Sequence, residues 1–212
     1  MSKTLKGSLM VLIAGIAWGI SGVSGQYLMA HGINVNLLTS LRLILAGTLL
    51  TASVFFRQRD KLVQAIKDKK TLVTIALFAV FGLVLNQYAY LSAIQHTNAG
   101  TATVLQYVTP VLILAFVCAK NRRFPTVSEL VAIIMAIVGT FIIATHGQLT
   151  ELAITPIGLF WGLFSAVTYA LYILLPAKAI EKWGSLIVIG LGMLLGGLVF
   201  PIAIQAWKYE LP

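Results

Sequence analysis

Polar and aromatic side chains recur at helical spacing inside long apolar runs of the sequence, a pattern typical of solute binding within a membrane. Amides such as Asn86, Gln87 and Gln106 cannot stay unpaired in hydrocarbon without a large energetic cost. They either line a wet cavity or hydrogen-bond between helices, and both alternatives stay open. The predicted substrate-binding residues are Trp18, Ser21, Asn86, Gln87, Tyr90, Thr103, Gln106, Tyr107, Trp161, Ser165, Tyr169 and Tyr172.

The aromatic members of this set suit two kinds of small solute. Aromatic faces attract organic cations, and aromatic walls also accept apolar bodies. An organic cation and an apolar amino acid are therefore both compatible with the pattern. Simple packing between helices is the alternative for Trp18 and Tyr172.

Four other residues are predicted to have structural or gating roles. Arg42 is a formal charge deep inside an apolar run, so it either lines a cavity or reaches the interface and helix-end carbonyls. Pro110 removes a backbone donor and predicts a kink, either a hinge or a static bend. Gly15 and Gly19 form a GxxxG pair, which predicts close helix packing.

Nothing in the sequence predicts a metal or a cofactor. His31, His96 and His146 fall at helix ends or in loops, without the spacing of metal ligands on one helix. Cys118 is the single cysteine, so an internal disulfide is excluded.

These side chains must be positioned by membrane helices. The 212 residues are 59% hydrophobic and 10% charged, against roughly 45–50% and about 25% in soluble domains. A bilayer-spanning helix needs about 20 mostly apolar residues, and seven such runs predict an all-α polytopic membrane protein. The runs are Gly7–Ala30, Val35–Phe56, Leu72–Ile94, Ala99–Ala119, Thr126–Thr145, Pro156–Leu175 and Ser185–Trp207.

Loop charges predict the orientation in the membrane. With the N-terminus inside, 13 of the 15 Lys and Arg residues lie in cytoplasmic segments, as the positive-inside rule requires. The net charge of +9 is thereby explained without a nucleic-acid partner. The inner segment over residues 57–70 is expected to be either a short interfacial amphipathic helix or a solvated loop.

Two stretches of the chain resemble each other and predict an internal repeat. Residues 7–18 align with 158–169, and residues 40–47 align with 190–197. Because one copy holds five runs, an odd number, the second copy begins on the opposite side of the membrane, and the copies are inverted. We therefore expect a first repeat over residues 1–148, with five spans, and a partial second repeat over 149–212, with two.

The order of several motifs resembles the drug/metabolite transporter superfamily, in its EamA-type branch. These motifs are Ala14–Gly19, Leu41–Leu43, Tyr88–Ala93, Thr97–Ala102, Gln106–Pro110 and Val138–Thr140. The resemblance implies ten helices in two inverted five-helix repeats around a central path. This chain has seven runs, which predicts a truncated form of that fold, and Asn121-Arg122-Arg123 replaces the family's Gly-Glu-Arg.

The function predicted from the repeat and the polar stripes is transport of a small organic metabolite, such as an amino acid or amine, across the cytoplasmic membrane by alternating access. The expected partners are that solute and the lipid bilayer, with a homodimer left open. A truncated, non-transporting membrane fragment or scaffold is the main alternative. An intramembrane serine protease is a remote one, resting on Gly22-Val-Ser-Gly25.

Overall fold

The computed structural model describes residues 3–145 and 154–209, and every regular element in these ranges is a helix. The α-helices are α1 (Lys3–Ala30), α2 (Val35–Lys67), α3 (Lys69–Leu77), α4 (Leu85–His96), α5 (Ala99–Gln106), α6 (Thr109–Lys120), α7 (Val127–Thr145), α8 (Pro156–Leu174), α9 (Ala177–Trp183) and α10 (Ser185–Ala203). A π-helical segment, Phe78–Val84, joins α3 to α4, and a 3-10 turn, Ala206–Lys208, follows α10. The predicted repeat boundary at residues 148 and 149 lies outside the described residues.

Six helical stretches are long and apolar enough to cross a membrane. They are Leu5–Ala30, Val35–Lys67, Lys69–His96, Ala99–Lys120, Pro156–Trp183 and Ser185–Ala203. A shorter apolar helix, Val127–Gly139, lies within the fifth predicted run. The predicted all-α polytopic membrane fold is confirmed, although several helix ends differ from the predicted ones.

The second helix continues well beyond its predicted end at Phe56. It runs to Lys67, with a kink at Gln58 where φ and ψ are −143° and 42°. Leu62 and Ala65, three residues apart on one face, are buried in the protein core. The solvated-loop alternative is therefore wrong, because this apolar face packs against other helices.

The fourth span is broken near its middle. Here α5 ends at Gln106 and α6 begins at Thr109, with Pro110 in the first turn of α6. Proline has no backbone N–H and cannot continue a regular helix from the preceding turn. The Thr109 hydroxyl lies 2.6 Å from the carbonyl oxygen of Gln106 and 3.0 Å from that of Ala166. It thereby partners the Gln106 carbonyl that the break leaves inside the bundle and ties the break to α8.

The described residues form three hydrophobic clusters, of which the two larger ones reach the cavity described below. The largest joins α2, α3, the π-helical segment, α9 and α10 and contains Phe78, Trp183 and Leu83. The second joins α2, α4 and α5 and contains Leu91 and Tyr90. Leu83 of the first cluster and Tyr90 of the second both line the same cavity, so the cavity lies where the two clusters meet.

The helices α2 and α10 approach each other at three glycines, Gly47, Gly190 and Gly197, which we call the glycine seam. A methyl group on Gly47 would overlap the backbone nitrogen of Leu194. One on Gly197 would lie 2.7 Å from the backbone nitrogen of Ile44. Backbone meets backbone here, as small residues allow between membrane helices.

The close packing predicted at Gly15 and Gly19 is absent from the described structure. A methyl group at either glycine would have no neighbour within 4 Å. The face of α1 that carries them is exposed, since Val11 and Leu12, one turn before Gly15, are 74% and 59% exposed. The GxxxG spacing therefore does not mark a helix contact within the described residues.

Polar contacts tie the loop between α2 and α3 to α9. Asp68 accepts hydrogen bonds from the Lys70 and Thr71 backbone, and its Oδ2 lies 2.7 Å from Nζ of Lys182. Trp183 Nε1 donates to the Thr71 hydroxyl at 2.8 Å. Hydrogen bonds from Lys182 and then Thr71 hold the pKa of the Asp68 carboxyl well below its usual range.

Candidate functional site: a polar cavity between the helices

A cavity of about 220 Å³ lies among α1, α2, α4, α5, α8 and α10. It is lined by Trp18, Ser21, Arg42, Leu83, Asn86, Gln87, Tyr90, Gln106, Tyr169, Tyr172 and Met193. Six helices and the π-helical segment thus contribute, so no single element holds the site. Ordinary small-molecule pockets occupy about 300–1,000 Å³, and this cavity therefore suits a small solute.

An amide cluster forms one wall of the cavity. Asn86 Oδ1 accepts from Gln106 Nε2 at 3.1 Å and from the Thr168 hydroxyl at 3.3 Å. Gln106 is only 2% exposed, so this bond keeps a buried amide partnered. Both alternatives for these amides are met together, since Asn86 and Gln106 bond between helices and also line the cavity.

The amide of Gln87 differs from its neighbours. It lines the cavity and makes no hydrogen bond to any of the described residues. A side-chain amide offers two N–H donors and one acceptor oxygen. Gln87 is therefore the polar group best placed to bond a solute.

Tyr90 is held by a chain of hydroxyl bonds. The hydroxyl oxygens of Tyr90 and Thr103 are 2.7 Å apart, and the Thr103 hydroxyl donates to the Ala99 carbonyl oxygen at 2.7 Å. Because a threonine hydroxyl has one proton, Tyr90 must be the donor of the first bond. Thr103 therefore lies behind Tyr90 and orients it, and is not itself on the cavity wall.

Arg42 brings a positive charge to the cavity. Its Nη2 donates to the Ser21 carbonyl oxygen of α1 at 2.5 Å. Gly25 leaves room for the guanidinium, because a methyl group there would lie 2.7 Å from Nη2. The structure places Arg42 on the cavity wall, which was one of the two alternatives. The carbonyl that it bonds belongs to the interior of α1 and not to a helix end.

Aromatic rings form another part of the cavity wall. Trp18 and Tyr169 meet edge to face with centroids 5.7 Å apart, and Tyr169 stacks on Tyr172 at 5.4 Å. Tyr172 also contacts Phe78 at 5.3 Å. Packing and cavity lining are thus not exclusive for Trp18 and Tyr172, which do both.

A second cavity of about 520 Å³ shares one wall with the first. Tyr169 lines both, while Tyr107 and Pro110 line only the second. Arg123 and Glu129, whose side chains pair at 2.8 Å, also line it. Glu129 is an acidic residue within the fifth predicted run, and this ion pair occupies its carboxylate.

Two other predicted site residues lie away from the cavity. Trp161 packs edge to face on Tyr88 with centroids 5.5 Å apart. Ser165 is fully buried and donates to the Gly162 carbonyl oxygen at 2.7 Å. Their side chains therefore serve helix packing in this structure.

Sequence reasoning missed Leu83 and Met193, two apolar residues on the cavity wall. Both lie in runs where nearly every neighbour is apolar, so neither residue type stands out. The signal that was available is the run of glycines around Met193, which predicts a close helix approach at that level.

The histidines do not support the remote protease alternative. Nδ1 of His31 and Nδ1 of His96 each lie 2.8 Å from a carbonyl oxygen of their own helix, at Tyr27 and Ser92. Neither is bonded to Ser24 in the described structure. His146 lies outside the described residues. Within those residues, no three His, Cys, Asp or Glu side chains group as a metal site would require.

Long apolar helices around a small polar cavity define a polytopic membrane protein with a polar site inside its helix bundle. The EamA-like transporter family matches residues 5–145, and the chain belongs to that family. A relative from Salmonella typhimurium, the uncharacterized inner membrane transporter YicL, is 39% identical over 200 residues. That alignment covers 94% of this chain and 66% of the relative. No solved structure gives a significant match.

Proposed function

We propose that this protein carries a small organic metabolite across the cytoplasmic membrane by alternating access, with the cavity as its substrate site and its N-terminus in the cytoplasm. The observation that carries the proposal is the cavity itself. It sets Gln87, which has no described protein partner, beside Arg42 and an aromatic wall in the middle of apolar helices. Intramembrane polar groups of this kind mark substrate pathways.

Contacts at the glycine seam support the inverted repeat on which alternating access rests. The sequence alignment pairs Gly47 with Gly197 and Ile44 with Leu194. In the structure Gly47 contacts Leu194, and Gly197 contacts Ile44. The two contacts are therefore equivalent under the repeat, because each joins the aligned glycine of one copy to the aligned aliphatic residue of the other. A pseudo-two-fold axis in the membrane plane produces such reciprocal contacts.

The turns after α1 and α9 give a second line of support. Gly32 and Gly184, the glycines in which the two corresponding segments finish, both have φ of 90°. Left-handed backbone is rare for other residues. The ends of the two segments thus share an uncommon backbone angle.

The two cavities indicate how a solute would move. Tyr169 lines both, so we propose that a solute moving from the central cavity to the second one passes its ring. The second cavity also contacts Arg123, in a segment that the charge pattern places on the cytoplasmic side. The shared ring is therefore the proposed boundary between the substrate site and an inner vestibule.

The test is uptake of a panel of amino acids, amines and organic acids into proteoliposomes containing the chain. We expect one class to exceed empty liposomes, and Gln87→Ala to weaken uptake by about 2- to 10-fold, as the loss of one hydrogen bond predicts. Gln95→Ala is the matched control, since Gln95 is an exposed amide on the same helix. No uptake of any solute, or equal loss in both variants, would contradict the proposal.

A further inference from the structure

The Arg42 guanidinium has more hydrogen-bond donors than the protein uses. A guanidinium carries five N–H groups, and the described structure gives it one partner, the Ser21 carbonyl oxygen at 2.5 Å. The side chain is half-buried and reaches the cavity wall. Most of its donors therefore have no partner among the described residues, in a side chain that lines the cavity.

Among the described residues, no carboxylate compensates this charge within the cavity. The chain has six acidic residues, and none of those in the described structure lines the central cavity. Asp68 and Glu129 are engaged elsewhere, with Lys182 and Arg123. The cavity wall therefore carries one positive charge among otherwise neutral side chains.

This charge changes what the aromatic wall can select. Aromatic faces alone attract organic cations, but a cation in a cavity this small would be held close to Arg42, where like charges repel. An anion would instead gain a partner whose fork of donors matches a carboxylate. Trp18 and Tyr169 then remain free to contact an apolar body.

We propose that Arg42 binds the carboxylate of a small organic anion whose apolar or aromatic part lies against Trp18, Tyr169 and Tyr172, with Gln87 bonding a neutral polar group. This inference rests on the proposed function only in taking the cavity as the substrate site. It narrows the expected solutes, since an organic cation is disfavoured and a compound with a free carboxylate is preferred.

The experiment compares three probes that share one body and differ in charge: 3-phenylpropanoate, 3-phenylpropanamide and 3-phenylpropylamine. The 212-residue chain is placed in nanodiscs of phosphatidylcholine, which has no net charge, and binding is measured by calorimetry. We expect the carboxylate to bind at least tenfold more tightly than the amide, and the amine to bind most weakly.

Variants separate the charge of Arg42 from its structural bond to α1. Arg42→Gln should abolish the preference for the carboxylate, and Arg42→Lys should keep part of it. Gln26→Ala removes a different hydrogen bond of α1, the one that Gln26 accepts from the Ala99 N–H at 2.8 Å. This variant should keep the full preference for the carboxylate. Thermal unfolding of each variant checks that it is folded.

Three results would overturn the inference. They are binding of the amide or amine at least as tight as that of the carboxylate, an unchanged preference in folded Arg42→Gln, and no binding of any probe by the wild type. Uptake into proteoliposomes is scored separately. Carboxylate binding without uptake refutes the proposed transport alone, whereas uptake restricted to cations refutes the anion site alone.

Discussion

The glycine seam and the attachment of α1 are two contacts in this bundle that use different groups. The seam uses backbone atoms, and the attachment of α1 uses side chains. At the seam the backbones of α2 and α10 touch, and Gly47 has no room for a methyl group beside Leu194. By contrast, α1 is held by side chains: Arg42 bonds the Ser21 carbonyl oxygen, Gln26 accepts from α5, and Trp18 packs on Tyr169. Backbone packing resists sliding, while long side chains can follow a moving helix.

The difference assigns mechanical roles to the two regions. The seam is the part of the bundle least able to change, because interdigitated backbones have few alternative arrangements. The α1 helix has a largely exposed outer face and contributes Trp18 and Ser21 to the cavity. We therefore expect the cavity to change shape mainly through its α1 wall.

The largest expected effect comes from adding one methyl group at the seam. Gly47→Ala should destabilise the protein by about 1–3 kcal/mol, because the methyl group forces the two backbones apart. Gly15→Ala is the control and has no neighbour within 4 Å. It should be neutral or stabilise by up to about 1 kcal/mol through helix propensity.

Thermal unfolding in one detergent measures both variants. If the two substitutions shift the midpoint in the same direction by the same amount, the seam is no more rigid than the outer face of α1. The comparison between the two regions would then fail.

An intermediate effect, on the hydrogen-exchange rates of α1, is expected when α1 loses one of its hydrogen bonds to the bundle. Gln26→Ala removes a hydrogen bond worth about 0.5–1.5 kcal/mol, so amides of α1 should exchange hydrogen about 2- to 10-fold faster. Amides of α10 should be unchanged, because the seam is untouched. Hydrogen-exchange mass spectrometry in nanodiscs measures both helices at once, with Gln95→Ala as control. Equal acceleration in α1 and α10 would show that the two regions open together.

The smallest effect is expected outside the membrane-spanning helices, at Asp68. Its pKa is lowered in the folded protein, chiefly by the hydrogen bond from Lys182. The stabilisation it gives is therefore complete above the unfolded pKa of about 3.9 and is lost as the pH falls below that value. Wild type should exceed Asp68→Asn in thermal midpoint at pH 7, and the gap should narrow at pH 3. A gap that widens on acidification would contradict the assigned ion pair.

The sequence predicts the spans and most of the cavity wall for a physical reason. A polar side chain in an apolar run must find a partner or water, so Asn86 and Gln106 had to face the bundle interior. Tyr90 follows Asn86 at helical spacing and shares its face. These inferences need only helix geometry and the cost of burying polar groups.

Other features depend on tertiary packing that a single sequence does not show. Tyr107 was expected beside Gln106, but the break before Thr109 directs it to the second cavity, where it is 61% exposed. The spacing of Gly15 and Gly19 resembles a contact motif, yet the neighbour that such a motif needs is not among the described residues. Met193 joined the cavity because α10 is drawn close by its glycines, not because of its own chemistry.

The π-helical segment Phe78–Val84 has a consequence for the phase of the third span. Its bonds run from residue i to i+5, as from the Leu85 N–H to the Val80 carbonyl, and so each encloses one residue more than an α-helical turn. A helical wheel drawn at about 100° per residue through the whole span therefore loses its register at these turns. The face of the helix on which Ile75 lies therefore does not predict the face on which Asn86 lies. The side-chain directions before and after the π-helical segment have to be worked out separately.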